Sequence, residues 1–332
     1  MDFLAGTASG VYAGAAGAAA EGIAERGIRH ISLVGDSFFA GASDGVYRSG
    51  DGRSWKRMGA EGLEVWDILP VPGDKRRLYA GTQPAHIFTS GDGGSSWSEM
   101  GSFLTAPGAD RWCLPGQPAP SARARTLAFD SANPDHFRVG IEVGGVARTD
   151  DGGASWDLTL PGGNPDIHVM IAHPSKPGVI FATTGFGRID NTEPHEKRIA
   201  GTFRSDDGGK TWTYLWAGIQ PPYTRPICID PRAPHAITVA CAPTAFSSIK
   251  DEGGAKAMLY RSDDDGQTWR SLGDAGHSPS AANFLSVAPD AQRAGWVLIG
   301  TETGEVWRVS PNASWTRLAE GLPAVQALLA VA

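Results

Sequence analysis

The sequence has few of the features that mark helical, secreted or membrane-spanning proteins. Apolar residues seldom recur at helical spacing, and no stretch approaches the roughly 18 consecutive apolar residues that a membrane helix needs. The N-terminus shows no basic segment followed by an apolar one, so we expect no signal peptide. These absences favour a protein of short β elements, and we expect no membrane partner.

Cysteine and positive charge are also scarce. Cys113, Cys228 and Cys241 are an odd number without the spacing of a metal site, which predicts reduced thiols and a cytoplasmic location. The 29 Lys and Arg residues are outnumbered by 36 Asp and Glu residues, which gives a net charge of -7. A chain of this charge has no basic footprint for nucleic acid, so we expect no nucleic-acid partner.

Glycine and proline are abundant, with 44 and 23 residues, and one turn is repeated. The stretch "FRSDDGGKTW" ends at Trp212, and similar stretches end at Trp55, Trp97, Trp156, Trp269 and, in a degenerate form, Trp315. The segment "VYAGAAGAAAEGI" near the N-terminus keeps the flanking pattern without the Asp and Trp. The chain therefore contains seven repeat units.

The runs between the turns predict the fold class. Each unit contains apolar or alternating runs of four to six residues separated by turn residues, which is typical of four antiparallel strands. Units of four strands, repeated every 40 to 60 residues or so, predict a seven-bladed β-propeller, all-β, as a single domain over residues 1–332. The C-terminal "AVQALLAVA" predicts a first strand that completes the blade begun by "DFLAGTASGVYAG", so that no strand edge stays open.

The repeated turn itself reads as a structural clip. Asp207 can accept hydrogen bonds from N–H groups of its own turn, and Gly208 and Gly209 allow positive φ. Thr211 can add a hydroxyl hydrogen bond, and Trp212 should pack between neighbouring blades. Dispersed copies cannot converge on one substrate, so we do not expect the turns to be catalytic.

The pattern Ser/Thr-x-Asp-x-Gly-x-Thr/Ser-Trp, seen at Ser90–Trp97, Thr149–Trp156, Ser205–Trp212 and Ser262–Trp269, resembles the Asp-box, or BNR repeat. The resemblance covers almost the whole chain. It implies a propeller fold but leaves function open, because Asp-box propellers include sialidases, xyloglucan-degrading glycoside hydrolases, sorting receptors and the photosystem II assembly factor. The chain lacks the Phe/Tyr-Arg-Ile-Pro signature of sialidases and has seven units where they have six blades, so we do not expect sialidase activity.

Polar residues open nearly all of the predicted first strands. In a propeller these positions meet at the central funnel, on the face opposite the Asp-boxes, where a ligand site is expected. The opening residues are His30, Trp66, Arg125, His168, Arg225, Asn283 and Gln326. Asp67, Arg123 and Asp166 lie within two residues of them, and Glu142 and Glu302 lie in turns predicted on the same face.

Two sets of site residues follow from this placement. Histidines near carboxylates can perform acid–base catalysis or hold a divalent metal ion, and both alternatives stay open. The catalytic candidates are His30, Glu142, His168 and Glu302. The substrate-binding candidates are Trp66, Asp67, Arg123, Arg125, Asp166, Arg225, Asn283 and Gln326.

Three long connections on consecutive blades are predicted on the face that carries the funnel. They are "GSFLTAPGADRWCLPGQPAPSA", "GFGRIDNTEPHEKRIAG" and "APTAFSSIKDEGGAKA". Long loops on a rigid framework are usually functional. We therefore predict an enzyme, a glycoside hydrolase-like hydrolase or a lyase, acting on a small polar or carbohydrate-like substrate. The alternative is a non-catalytic protein-interaction or assembly-factor propeller with a protein partner.

Overall fold

The computed structural model describes residues 2–14, 19–116, 118–187 and 199–331. In these ranges the chain is an all-β, seven-bladed propeller with antiparallel blades and almost no helix. The predicted fold class is confirmed. Most of the predicted connection "GFGRIDNTEPHEKRIAG" lies outside the described residues.

The strands of the described residues are short and follow one another with few interruptions. The first of them are β1 (Phe3–Thr7), β2 (Gly10–Ala13), β3 (Ile28–Val34), β4 (Ser37–Ala42), β5 (Gly45–Ser49), β6 (Lys56–Gly59), β7 (Glu64–Val71), β8 (Asp74–Gln83), β9 (Ile87–Ser90), β10 (Ser98–Glu99), β11 (Arg123–Phe129), β12 (Phe137–Glu142), β13 (Gly145–Thr149) and β14 (Asp157–Thr159). The later ones are β15 (Ile167–Ala172), β16 (Ile180–Thr184), β17 (Thr202–Ser205), β18 (Thr213–Tyr214), β19 (Tyr223–Ile229), β20 (Ile237–Ala242), β21 (Met258–Ser262), β22 (Arg270–Ser271), β23 (Phe284–Pro289), β24 (Val297–Thr301), β25 (Val306–Val309), β26 (Trp315–Ala319) and β27 (Val325–Ala330).

Consecutive strands pair with each other in every sheet except the one that joins the two ends of the chain. The sheet orders are β27-β1-β2, β3-β4-β5-β6, β7-β8-β9-β10, β11-β12-β13-β14, β15-β16-β17-β18, β19-β20-β21-β22 and β23-β24-β25-β26. In the first sheet, β27 pairs antiparallel with β1, with Leu4 opposite Leu329. The C-terminal strand thus completes the N-terminal blade, as the sequence predicts.

The chain divides into two compact units. Unit 1 comprises Met1–Ala42, Tyr47–Lys56 and Gly218–Ala332, and unit 2 comprises Ser43–Val46 and Arg57–Ala217. Unit 1 carries the first strands β3, β19, β23 and β27, and unit 2 carries the first strands β7, β11 and β15. That residues 1–332 form a single domain stays a prediction.

Apolar side chains of adjacent sheets form the core of each unit. In unit 2, the ring of Tyr79 on β8 lies 5.0 Å from Phe129 and 5.1 Å from Phe137, with both pairs edge to face. In unit 1, Leu4 of β1 packs with Ile28 of β3 in one buried cluster. Strands such as β1 and β12 are buried on both faces, and the burial of these side chains holds neighbouring sheets together.

Each repeated acidic turn joins the third and fourth strands of its sheet. In the copy between β17 and β18, the Asp207 carboxylate accepts the N–H of Lys210 (3.0 Å), the N–H of Thr211 (2.9 Å) and the hydroxyl of Thr211 (2.6 Å). Burial acts to raise the pKa of Asp207, but these bonds and that of Ser205 outweigh it and lower the pKa to about 2. The Trp212 indole donates to Thr159 of the preceding sheet (3.2 Å). The predicted role as a structural clip is supported at this turn.

Helical segments are short in the described part of the chain. They are the 3-10 turns at Gly101–Thr105, Ala109–Arg111 and Pro161–Gly163 and the helix α1 (Ser247–Lys250). None of the described helices has the length or apolar character needed to cross a membrane. Two of these turns fold within the first long connection, and α1 lies in the third.

Candidate functional site

The first strand of each sheet contains a β-bulge at nearly the same place. Pairing with the second strand skips one residue there, or two in β19, and such a bulge redirects the side chain of the extra residue. The extra residues in the described part of the chain are Arg29, Trp66, Arg125, His168, Arg225 with Pro226, Leu285 and Gln326.

The bulges coincide with five of the seven strand-opening residues picked from the sequence. The two differences are in β3, where the bulge falls on Arg29 and not on His30, and in β23, where it falls on Leu285 and not on Asn283. The difference in β3 is one residue, which exchanges the side of the strand from which a side chain projects, whereas the difference in β23 is two residues. That all seven positions meet in one funnel stays a prediction.

In unit 2 these strands gather two arginines around one carboxylate. Glu142, at the end of β12, accepts hydrogen bonds on Oε2 from Nη1 of Arg123 (2.8 Å) and from Nη1 of Arg125 (2.6 Å). Arg123 is 25% exposed, Arg125 16% and Glu142 15%, so solvent still reaches all three side chains. This set forms the centre of what we call the arginine cluster.

An aromatic ring and an amide orient the two guanidinium groups. Both lie over the indole of Trp66, with their central carbons 4.3 Å (Arg123) and 5.3 Å (Arg125) from the ring centroid. Gln83 accepts a hydrogen bond from Nε of Arg123 at 2.9 Å, and its own amide donates to the carbonyl of Ser121. Cation–π contact and the amide fix the arginines in place before any ligand arrives.

A buried pair, Asp166 and His168, lies beside Glu142. An isolated bridge joins the backbones of Glu142 and Asp166, which brings the start of β15 to the end of β12. His168 Nε2 lies 3.4 Å from Oδ1 of Asp166, and the N–H of Gly187 donates to Oδ2 at 2.6 Å. His168 is only 1% exposed and Asp166 7%, so this pair is the buried part of the arginine cluster, which we call its floor.

The two carboxylates of the arginine cluster are both held in the ionised form. Burial acts to raise the pKa of Glu142, but the guanidinium groups of Arg125 and Arg123 outweigh it, and the pKa lies below its ordinary value. Burial has the same tendency at Asp166, where His168 and the N–H of Gly187 lower the pKa to about 2. Neither group can therefore act as a proton donor at neutral pH in the free protein.

Glu142, Asp166 and His168 also form the one group of metal-type side chains within binding distance that the described ranges contain. Their ligand atoms lie within 4.8 Å of one another. Two arginines already neutralise Glu142, and a divalent ion beside them would meet repulsion on the order of several kcal/mol. The arrangement suits ion pairs better than a metal ion.

Asp67, predicted to bind substrate, has a structural partner in unit 2. Its Oδ2 accepts the backbone N–H of Leu127 on the neighbouring first strand, at 2.7 Å. Thr126 makes the corresponding link one sheet further, where its hydroxyl accepts the N–H of Met170 at 3.0 Å. The position after the bulge thus ties one first strand to the next.

Unit 1 contains a second polar group, which we call the asparagine cluster: Ser248, Asn283 and Glu302. Glu302 accepts the backbone N–H of Asn283 (2.8 Å), the side-chain amide of Asn283 (3.0 Å) and the hydroxyl of Ser248 (3.0 Å). The amide of Asn283 also donates to the Ser248 oxygen at 3.0 Å. The predicted catalytic residue Glu302 is thus bonded to neutral donors.

The remaining predicted residues of unit 1 lie on three first strands. Gln326 accepts a hydrogen bond from Nη1 of Arg29 at 2.7 Å, which joins the bulges of β27 and β3. Arg225 donates from Nε to the hydroxyl of Tyr223 at 3.2 Å and lies over its ring. His30 is half-buried on β3.

Three residues of these groups are missed by the sequence analysis: Arg29, Gln83 and Ser248. Arg29 could be found only with the strand register, because the bulge moves the projecting position by one residue. Gln83 precedes a proline at the end of β8, and Ser248 lies in a long connection. Nothing local distinguishes either from an ordinary surface residue, since their partners come from distant segments.

Comparisons with known proteins support the propeller fold and go no further. No protein-family model matches the sequence, and no curated protein matches it. A GH74 enzyme from Niastella koreensis has a similar structure, with a TM-score of 0.64, 16% identity, and coverage of 96% of this chain and 47% of that one. The GH74 xyloglucanase from Xanthomonas campestris aligns with a TM-score of 0.63, 18% identity, and coverage of 89% and 47%.

A solved structure of YCF48 bound to D1 peptide is also similar. Its TM-score is 0.55 at 13% identity, with coverage of 87% of this chain and 81% of that one. This chain spans less than half the length of the GH74 chains. At these identities the likeness concerns the fold alone.

Proposed function

We propose that this protein is an enzyme, a hydrolase or a lyase, that acts on a small polar or carbohydrate-like substrate at the arginine cluster. The observation that carries the proposal is the bridged Glu142. One carboxylate with two arginines, packed over the indole of Trp66 and beside a buried Asp–His pair, is a concentration of charge that the fold does not need. Buried ion pairs contribute little net stability, and perturbed ionisable groups collect at functional sites.

The similar solved structures are consistent with this proposal. Two of the neighbours described above are GH74 enzymes, one of them a xyloglucanase. We further propose that the acidic turns are Asp-box repeats, since the bonds of Asp207 repeat at Asp92, Asp151 and Asp264. The cysteines of the described residues are free thiols, which supports the proposed cytoplasmic location.

Substrate screening with matched variants tests the proposal. Glu142→Gln and Arg123→Gln should each lower any turnover found by at least about 100-fold, because both change groups of the cluster. Glu99→Gln is the control, since Glu99 is a solvent-exposed partner of His86 on the outer strand β10. Melting temperatures of all variants report on folding. Unchanged turnover in both cluster variants would place the activity elsewhere.

A protein-interaction platform is the second candidate. In the connection between β20 and β21, Phe246 is 56% exposed and Ile249 is 84% exposed. Two large apolar side chains this open on one short segment favour a protein contact. The hydroxyl of Ser248 anchors the same segment to Glu302, so the apolar pair projects from a fixed base.

Affinity capture with a matched variant distinguishes the two candidates. An Ile249→Asp protein should lose a stoichiometric partner from native lysate if the platform proposal is right, and it should keep the wild-type turnover. Retention of the partner by this variant argues against the platform. If Arg123→Gln loses the partner and Ile249→Asp keeps it, the partner contacts the arginine cluster.

A further inference from the structure

We infer, on the basis of the proposed function, that the substrate carries a carboxylate which replaces Glu142 on Arg123 and Arg125, and that the released Glu142 then removes the proton from the adjacent carbon. The substrate class is an acidic sugar, and the reaction is an elimination. The elimination cleaves the sugar chain without hydrolysis. Each step follows from a contact in the arginine cluster.

The arginines are already arranged for a carboxylate. Their two Nη1 atoms converge on Oε2 of Glu142 within 2.8 Å, which shows that a carboxylate oxygen fits between them. Nη2 of Arg123 makes no hydrogen bond within the described ranges, although its Nε and Nη1 do. An entering carboxylate would therefore meet one unused donor and two that Glu142 can give up. Arginine forks match carboxylates in geometry as well as charge.

Aromatic side chains at the arginine cluster are suited to contact a sugar ring. Trp66 lies beneath the guanidinium groups, and Phe186 is 46% exposed next to Gly187, which binds Asp166. A sugar with an acidic group can place its carboxylate on the arginines and its apolar ring face near an aromatic side chain. Neutral sugars would lack the charged contact, which is the stronger part of the recognition.

Displacement changes Glu142 from an ion-pair partner into a base. Only its Oε2 has hydrogen-bond partners among the residues that the structure describes, so Oε1 is available for a proton. Burial acts to raise the pKa of Glu142, and Arg125 and Arg123 are the largest influences that lower it, followed by His168. When the substrate carboxylate takes over the arginines, burial weighs more and Glu142 becomes more basic. The base is thus activated by the substrate that needs it.

The position of the base fits the proton that must leave. The carbon next to a substrate carboxylate is two bonds from the oxygens that the arginines bind, and Glu142 lies at those same contacts. Neutralisation of the carboxylate by two guanidinium groups stabilises the negative charge that develops when the proton is removed. Asp166 and His168 act as positioning residues below, since their side chains are nearly inaccessible.

The reaction balances without a cofactor or redox partner. Glu142 takes the proton from the carbon next to the carboxylate, and the C–H electron pair becomes a carbon–carbon double bond. The bond from the neighbouring carbon to the glycosidic oxygen breaks, and Glu142 returns its proton to that oxygen, directly or through a water molecule. The products are an unsaturated uronate and a shortened sugar with a free hydroxyl. A two-carboxylate hydrolysis would need a protonated acid, and both carboxylates are ionised.

A matched pair of substrates tests the inference. Uronic acid oligosaccharides are compared with the same oligosaccharides after their carboxylates have been reduced to alcohols. We expect only the acidic set to react, with an increase in ultraviolet absorbance from the conjugated double bond. Cleavage of the reduced set that depends on Glu142 and yields no absorbance would overturn the inference while the proposed function stands. If neither set reacts or binds, both fail.

Binding of D-glucuronate and D-glucose, measured by calorimetry, separates recognition from chemistry. Glu142→Gln should lose at least about 100-fold in kcat on the acidic oligosaccharide yet bind glucuronate as tightly as wild type or more tightly, since the competing carboxylate is gone. Arg123→Gln should weaken glucuronate binding and leave the weak glucose binding unchanged. Equal affinities for the two sugars, or weaker glucuronate binding by Glu142→Gln, would contradict the inference. Circular dichroism verifies that each variant is folded.

Discussion

The arginine cluster of unit 2 and the asparagine cluster of unit 1 are built at corresponding places of their sheets and differ in one respect. Both centre on a glutamate at the end of a second strand: Glu142 is the last residue of β12, and Glu302 directly follows β24. Glu142 is bonded to two cations on one oxygen. Glu302 is bonded to an amide, a hydroxyl and a backbone N–H on both oxygens.

This difference shows how a glutamate at the end of a second strand can serve either a structural or a reactive role. Neutral donors on both oxygens satisfy Glu302 and fasten the connection that contains Ser248, so this glutamate serves to order a loop. Two arginines on one oxygen leave Glu142 with an unused atom and a charge balance that an anionic ligand can change. We therefore expect unit 2 to carry the chemistry.

The largest loss of stability is expected from added atoms at two tightly packed glycines, one in the unit of each cluster. A Cβ at Gly81 would lie 2.3 Å from the backbone oxygen of Ala124, whereas one at Gly300 would lie 2.4 Å from the side chains of Ser286 and Val325. Backbone cannot move aside, and the buried, β-branched side chain of Val325 can move only slightly, so Gly81→Ala should cost about 3 kcal/mol of unfolding free energy and Gly300→Ala about 2 kcal/mol. Urea unfolding measures both values.

Gly91→Ala is the control for this pair, because nothing lies within 4 Å of a Cβ at that position. It should change the unfolding free energy by less than about 0.5 kcal/mol. Equal losses for Gly81→Ala and Gly300→Ala would mean that the two units tolerate crowding alike and that the packing behind the clusters does not differ.

The floor of the arginine cluster predicts a dependence of stability on pH. Asp166 has a pKa of about 2 in the folded protein against an ordinary value of 3.8, so its contribution is complete above pH 3.8 and is lost as the pH falls towards 2. The shift corresponds to about 2 kcal/mol. The difference in unfolding free energy between wild type and Asp166→Asn should therefore narrow between pH 5 and pH 2, by roughly that amount. If the difference in unfolding free energy stays constant over this range, the pKa of Asp166 is not lowered in the folded protein.

Removal of the hydroxyl of Ser248 tests the structural reading of the asparagine cluster. Ser248→Ala deletes one donor to Glu302 and one acceptor for Asn283, which should cost about 1 kcal/mol of stability. Turnover at the arginine cluster should stay at the wild-type value. A loss of turnover without a loss of stability would instead make the asparagine cluster part of the site.

Addition of a metal ion should change the stability of the protein least. Because two arginines neutralise Glu142, we expect the melting temperature to be the same with a chelator and with Mn²⁺, Ca²⁺ or Zn²⁺. Scanning calorimetry of the chelated and metal-loaded protein measures this directly. A rise of several degrees that disappears in Glu142→Gln would show that the cluster prefers a cation to its arginines.

Much of the fold follows from local pattern, and the candidate site follows only in part. The turn chemistry of Asp207 and the strand-like C-terminus were sufficient to predict the repeat and the pairing of β27 with β1. The strand-opening residues Arg125 and His168 were found because polar residues are conspicuous in apolar strands. Arg29 was missed because a bulge depends on how two strands pair, and the sequence of one strand does not determine that pairing.

The sequence by itself determined the repeat, the class of the fold and the residue types available to a site, because turn and strand preferences act over a few neighbouring residues. Only the tertiary structure decided that Glu142 would be held by two arginines and Glu302 by neutral groups. Those contacts join residues that are 17 to 54 positions apart in the chain. Electrostatic environment is a property of such distant neighbours, and it determines which of two similar glutamates can react.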